Sequence, residues 1–214
     1  MIDIGGGTGQ YALALTQTGC DVTLVDPVPR HVEEATRLGV AAVIGDARRL
    51  PFAAESFDAA LLLGPLYHLA ERDDRLLALR EAARVTRAGG LIFAAAISRF
   101  IRFASFYVGA PQPEGLPPAL ISLLSEGTPQ PDVRFPAGHF HTAEELEEEL
   151  ASAGLAVMEV LGIEGPAGVL LETLPIAPAD VIEAARTLAR ASGAIPGIRD
   201  FSAHLLGVAQ VQKS

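Results

Sequence analysis

The sequence predicts an α/β domain built on a doubly wound, mostly parallel sheet, and three observations carry the prediction. Short apolar runs of strand length alternate with longer amphipathic runs as far as residue 97. Glycine- or proline-bearing turns separate these runs. The fourth and fifth strand-like runs are almost continuously apolar. Alternation of this kind builds right-handed βαβ units. Continuous apolar character suits parallel strands covered on both faces.

The elements follow in order. Met1-Ile2 enters Asp3-Ile4-Gly5-Gly6-Gly7-Thr8-Gly9, which reads as a strand end, a tight glycine turn and a helix start. The helix runs from about Gly9 to Thr18 and closes at Gly19. A second strand, Asp21 to Val25, stops at Asp26-Pro27, and Pro29 opens a helix that ends at Gly39. Ala41–Ile44 is a third strand ending at Gly45-Asp46, and Phe57 to Leu63 is a buried fourth. A helix spans Asp73 to Val85, and Gly89-Gly90 is expected to turn it into the fifth strand, Leu91 to Ala96. Thr142-Ala143-Glu144-Glu145 has the form of a capping box for a helix ending at Gly154. Leu155 to Ile163, Ala179 to Ala191 and Ala203 to Val211 complete the chain as strand, helix and strand.

Residues 98–141 break the rhythm. Pro111, Pro113, Pro117, Pro118, Pro129, Pro131 and Pro136 oppose any long helix, while Phe100, Phe103, Phe106 and Tyr107 gather aromatic surface between and beyond Arg99 and Arg102. Long irregular insertions in compact domains serve most often as lids or binding loops. The expectation is one domain, 1–214, carrying a lid or acceptor-binding insertion at 98–141; the equal alternative there is a core-covering helix followed by a disordered connector.

Composition narrows the function. Half of the 214 residues are hydrophobic, enough for a full core, and the net charge of −10 disfavours nucleic-acid binding by counterion release. A single cysteine, Cys20, excludes an internal disulfide and fits a reducing compartment. No run approaches the roughly 18 apolar residues of a membrane helix, and a cytoplasmic location is expected.

Three acidic residues, Asp3, Asp26 and Asp46, stand where successive parallel strands end. Ligands of open α/β sheets bind outside the carboxyl ends of the strands, so these carboxylates should meet in one crevice. Asp26 lies about twenty residues beyond the glycine loop, where a ribose-binding acid is expected. Asp46, with the backbone of Gly45 and Ala47, suits an exocyclic amine. A dinucleotide fingerprint needs G-x-G-x-x-G, and here Gln10 occupies the third glycine position. Asp3 beside the loop also favours a cofactor bearing amine or sulfonium charge over a pyrophosphate.

Asp3-x-Gly5-x-Gly7-x-Gly9, Leu24-Val25-Asp26, Gly45-Asp46-Ala47 with Leu50-Pro51-Phe52, Phe57-Asp58 and Arg87-Ala88-Gly89-Gly90 resemble the successive motifs of class I S-adenosylmethionine-dependent methyltransferases. Gly64-Pro65-Leu66-Tyr67-His68-Leu69 resembles a small-molecule branch of them. The resemblance implies a Rossmann-like seven-stranded sheet of order 3-2-1-4-5-7-6 with one antiparallel strand. It implies S-adenosylmethionine as cofactor, S-adenosylhomocysteine as product and a small molecule as methyl acceptor. By the same resemblance Gly5, Gly6, Gly7 and Gly9 lie along the methionine part and Asp26 binds the ribose. Pro27 lies on the adenine face, Asp46 and Ala47 at its edge, and Leu63 or Gly64 at the pocket floor. Family members have a longer first strand and a helix before it, whereas only Met1 and Ile2 precede Asp3. The expectation is a misassigned or truncated chain start; the alternative is a shortened protein with an open, weakened cofactor site.

Displacement at an activated sulfonium needs positioning and desolvation more than a catalytic triad. Where a base is needed, His68 after the fourth strand is the candidate, with Tyr67 orienting the acceptor; both residues also read as packing groups. Two other classes compete: an NAD(P)-dependent oxidoreductase, which the displaced third glycine opposes, and a non-catalytic cofactor-binding or interaction module. His139 and His141 alternate as a metal pair would, but no Cys or third His is nearby and Glu144, Glu145, Glu147, Glu148 and Glu149 read as capping and solvated positions. No metal is expected, and a surface or lid role is assigned to both histidines. Arg48 and Arg49 could meet an anionic substrate but read first as exposed loop arginines without a specific role.

Overall fold

The structure, a computed structural model, describes residues 1–100, 115, 117–129, 137–168, 171 and 176–212. Seven strands form one sheet in the order β3-β2-β1-β4-β5-β7-β6. They are β1 (Ile2–Ile4), β2 (Thr23–Asp26), β3 (Ala41–Ile44), β4 (Phe57–Leu62), β5 (Thr86–Ile97), β6 (Leu155–Gly162) and β7 (His204–Val211). β7 runs antiparallel to both β5 and β6, and the described pairs among β1 to β5 are parallel. β6 therefore points the same way as β1 to β5, and its carboxyl end lies on the same sheet edge as theirs.

Helices cover both faces. They are α1 (Gln10–Gln17), α2 (Pro29–Arg37), α3 (Pro65–His68), α4 (Arg72–Val85), α5 (Pro118–Glu126), α6 (Ala143–Ser152) and α7 (Ala179–Ser192). Successive strand residues point to opposite faces, and β2 shows the result. Val25 joins a large core with Leu79, Leu146 and Leu150 of α4 and α6, whereas Leu24 joins a smaller one with Ala12 and Ala35 of α1 and α2. Cys20 packs as a half-buried thiol beside this second core. β1 has three residues, yet it holds the centre: Ile2 and Ile4 are fully buried, and it pairs with β2 and β4 on its two sides.

The predicted capping box is present, with Glu145 N–H donating to Thr142 Oγ1 at 3.2 Å and Thr142 N–H to Glu145 Oε2 at 3.1 Å. One expectation needs correction. Gly89-Gly90 is not a turn ahead of β5, because the strand begins at Thr86 directly after α4. The two glycines sit in an irregularity of the β4–β5 register between the pairs Phe57↔Thr86 and Ala59↔Leu91. A side chain on Gly90 would come within 2.6 Å of the Asp58 carbonyl oxygen, so the close approach of strands explains that glycine. Within 98–141 the nine-residue α5 forms with Pro117 and Pro118 at its N-cap and first turn, where proline costs no hydrogen bond, and this is compatible with the expectation of no long helix. Arg102, Phe103, Phe106, Tyr107, Pro111, Pro113, Pro131 and Pro136 lie outside the described residues.

Candidate functional site

The carboxyl ends of β1, β2, β3 and β4 open into a cleft of about 540 Å³. Its walls include Gly5, Gly7, Asp26, Pro27, Asp46, Ala47 and Gly64, seven of the residues singled out from the sequence, with Tyr67 and His68 at the same cleft.

The loop after β1 is held by the end of β2. Gly5 N–H donates to Val25 O at 2.7 Å, and Gly7 N–H donates to Asp26 Oδ2 at 2.9 Å. Gly5 and Gly7 both have positive φ, 70° and 56°, which an L side chain rarely adopts. A side chain on Gly7 would meet nothing within 4 Å, so this backbone faces open space. Gly6 and Gly9 behave differently. A side chain at Gly6 would run into the Asp3 carboxylate, and one at Gly9 would come within 3.1 Å of Ala35 Cβ. Gly9 therefore has a packing role where α1 begins against α2. Leu63 is also absent from the cleft wall; its carbonyl accepts the Tyr67 hydroxyl at 2.7 Å.

Asp26 is buried and accepts three hydrogen bonds: from Gly7 N–H, from Val28 N–H at 2.9 Å and from His31 Nδ1–H at 3.0 Å. His31 reaches it from the first turn of α2 and lines the cleft, a contact that sequence spacing did not expose. Asp46 sits opposite at the end of β3. Arg48 grips it through Nε and Nη2 at 3.0 and 2.6 Å and also reaches Asp74 of α4 at 2.8 Å. Arg48 is thus part of the wall and not an idle loop arginine, and its hydrogen bonds draw the Asp46 carboxyl below the usual carboxylate range. Arg49 remains exposed.

Asp3 is the unusual member. It lies beneath the glycine loop, 1% exposed, and neither carboxylate oxygen has an aligned hydrogen-bond partner. Burial pushes its carboxyl up to about 6, with a further push from the Asp26 charge and an opposing pull from the Ala12 backbone. An unpartnered buried carboxylate is costly, and a cation delivered next to it would relieve the cost.

His139 and His141 are not on the surface, a correction to the sequence reading. His141 is fully buried and His139 is 13% exposed, their rings meeting edge to face at 4.5 Å. Glu149, read as a solvated position, is buried too. It accepts Arg75 Nη2 at 2.7 Å and His141 Nε2 at 3.2 Å. His139, His141 and Glu149 could place one ligand atom each within 4.8 Å of one another. Arg75 neutralises Glu149 and Arg99 pairs with Glu145, so charge is already balanced without a cation. The network ties α4 and α6 to the end of β5. Phe140, between the histidines, packs with Ile97 and Leu123 against Tyr67 at the cleft.

Residues 2–94 match the sequence family described as "Methyltransferase domain", and the seven-stranded order is the one implied for class I enzymes. The chain carries a methyltransferase-family domain at residues 2–94. It is 31% identical over 170 residues to the ubiquinone biosynthesis O-methyltransferase of Azorhizobium caulinodans, covering 76% of this chain and 61% of that protein. It is 38% identical over 91 residues to the human probable tRNA methyltransferase 9B, covering 41% of this chain and 19% of the other. It therefore spans about three fifths and about one fifth of those relatives' lengths. In fold it is similar to a Thermotoga maritima S-adenosylmethionine-dependent methyltransferase described as a possible histamine N-methyltransferase. The TM-score is 0.64 at 23% identity, over 99% of this chain and 81% of that one. No described helix is long and apolar enough to cross a membrane.

Proposed function

We propose that the chain transfers a methyl group from S-adenosylmethionine to a small-molecule acceptor. The observation that carries the reading is Asp3: a buried, unpartnered carboxylate under an open glycine loop asks for a cationic group. The methionine end of this cofactor offers an ammonium beside a sulfonium. In this reading Gly5, Gly6 and Gly7 frame the methionine part, with Asp3 supplying charge from below. Asp26, already oriented by Gly7, Val28 and His31, accepts the ribose hydroxyls. Pro27 and Val28 flank the base, Asp46 and Ala47 take its edge, and Gly64 closes the floor.

S-adenosylmethionine supplies an activated methyl group and leaves as S-adenosylhomocysteine. What the chain supplies is alignment and exclusion of water, worth roughly 7–11 kcal/mol in the best aligned cases. An O–H or N–H acceptor also releases a proton, and we assign its capture to His68, which is exposed at the cleft. Tyr67, its hydroxyl turned to Leu63 O, orients the acceptor with its ring. The 98–141 segment forms the acceptor side of a single domain. We place the protein in the cytoplasm, where its one thiol stays reduced.

A small acceptor is favoured over RNA because the net charge of −10 opposes a polyanion. The tRNA-methyltransferase relative aligns with less than half of the chain. Isothermal titration with S-adenosylhomocysteine is the test. Saturable binding at one site is expected, and a folded preparation that binds NADH instead would sink the reading.

A further inference from the structure

A second cavity, of about 700 Å³, lies at the carboxyl end of β6. Leu161, Ile163, Ile182, Ala185 and Ala189 make its walls aliphatic. Its origin is a set of glycines that press α7 onto the strand end, backbone against backbone. A side chain on Gly193 would meet Gly162 O at 2.8 Å, and one on Gly165 would meet Ala189 Cα at 2.8 Å. Close approach without side chains fixes the helix and, among the described residues, leaves an open hollow beside it.

Charge at this cavity departs from that of the chain. Arg186 and Arg190, one turn apart on α7, line it in a protein of net charge −10. Arg186 has a long 3.6 Å pairing with the exposed Glu183. Glu164, the acid among the described lining residues, is turned to other work: its carboxylate accepts from Ser202 Oγ at 2.7 Å, His204 N–H at 2.9 Å and His204 Nδ1 at 2.6 Å. Among the described lining residues, aliphatic side chains and two arginines therefore face the cavity.

The place of the cavity gives it meaning. β6 and β7 are antiparallel neighbours, which a two-residue turn could join, yet the described part of the chain between them includes α7 and lines this chamber. Because β6 points the same way as β4, the chamber opens on the sheet edge that holds the cofactor cleft. Three strand spacings separate them, roughly 14 Å.

We propose that this chamber is the acceptor's second subsite, and that the acceptor is an anionic amphiphile. Its apolar body fills the space between β6 and α7, its carboxylate or phosphate pairs with Arg186 and Arg190, and the methylated end extends to the cleft beside Tyr67 and His68. The proposal rests on the methyltransferase reading for the identity of the ligand, but not for the existence of the site.

Dodecanoate, dodecyl phosphate and uncharged dodecanol are the probes, titrated into the full chain with and without S-adenosylhomocysteine. Both anions are expected to bind at least 10-fold more tightly than dodecanol; their ratio tells carboxylate from phosphate. Ile182→Trp, which fills the chamber, should weaken every probe at least 10-fold while S-adenosylhomocysteine affinity is unchanged. The exposed double variant Arg186→Glu with Arg190→Glu should weaken the anions at least 10-fold and leave dodecanol unaffected, and it keeps the test open should Ile182→Trp not fold. Anion binding indifferent to these substitutions, or no binding of any probe by a chain that binds S-adenosylhomocysteine, overturns the chamber and leaves the methyltransferase reading standing. Probe binding without S-adenosylhomocysteine binding would keep the chamber and remove its assignment to a methyl acceptor.

Discussion

Replacing Asp3 with asparagine tests the cofactor cleft through the protein's own stability. Asp3 is pushed from its ordinary value of 3.8 to about 6, first by burial and then by Asp26. Between those values the folded protein holds a proton that the unfolded chain has released. Stability therefore falls as pH rises through that interval. About two decades at about 1.4 kcal/mol each amount to about 3 kcal/mol lost by neutral pH. Asparagine keeps the shape and carries no charge. The variant should match the parent near pH 4 and exceed it by about 2–3 kcal/mol near pH 8. Urea melts across this range measure the gap. The same substitution removes the partner proposed for the cofactor's ammonium, so S-adenosylhomocysteine should bind roughly 10- to 100-fold more weakly. Titrations of the parent near pH 6, in buffers of differing ionisation enthalpy, should show about half a proton released on binding. A stability gap that does not change with pH, or a variant that binds the ligand as well as the parent, would refute the reasoning.

Other expectations follow from the same geometry. Asp26→Ala removes an acceptor of three hydrogen bonds and the proposed ribose contact; calorimetry should show at least roughly 100-fold weaker S-adenosylhomocysteine binding. Arg75→Ala strands the buried Glu149 and should cost about 3–5 kcal/mol in urea melts, with Arg75→Met plus Glu149→Leu recovering a large part. Glu149 is also held down to about 2, its hydrogen bonds from His141 and Arg75 outweighing burial. Its contribution is complete above its ordinary 4.5 and is lost as pH falls from 4.5 towards 2, so Glu149→Gln should flatten acid unfolding in that window. Gly5→Ala places a methyl 2.8 Å from Pro65 Cγ at a φ of 70°, and a loss of about 1–3 kcal/mol with weakened cofactor binding is expected.

The layered architecture was legible in the sequence because it rests on local signals. Periodicity marked the strands, glycines at 19, 39 and 154 marked helix ends, and the Thr142–Glu145 spacing marked a cap; each acts within a few residues. The acids at strand ends were legible for a related reason: parallel strands all bring their carboxyl ends to one edge, so order along the chain becomes position in space. Interactions that depend on which faces meet were not legible. Glu149 looks like its exposed neighbours in sequence, and only the docking of α4 against α6 places Arg75 opposite it. Gly9 fits a ligand-binding spacing, yet α2 lies against it. His31 and Arg48 join the cleft through the angle of α2 and the path of the loop after β3.

The sequence by itself determined the sheet, its winding and the three carboxylates Asp3, Asp26 and Asp46, because strand direction and glycine turns are written locally. Tertiary structure decided their states. It left Asp3 without a partner, gave Asp26 three donors and clasped Asp46 with Arg48. It also opened the chamber beside α7, where glycines far apart in the chain meet. The physical reason is the same throughout: burial and charge pairing are sums over neighbours, and the neighbours are chosen by packing.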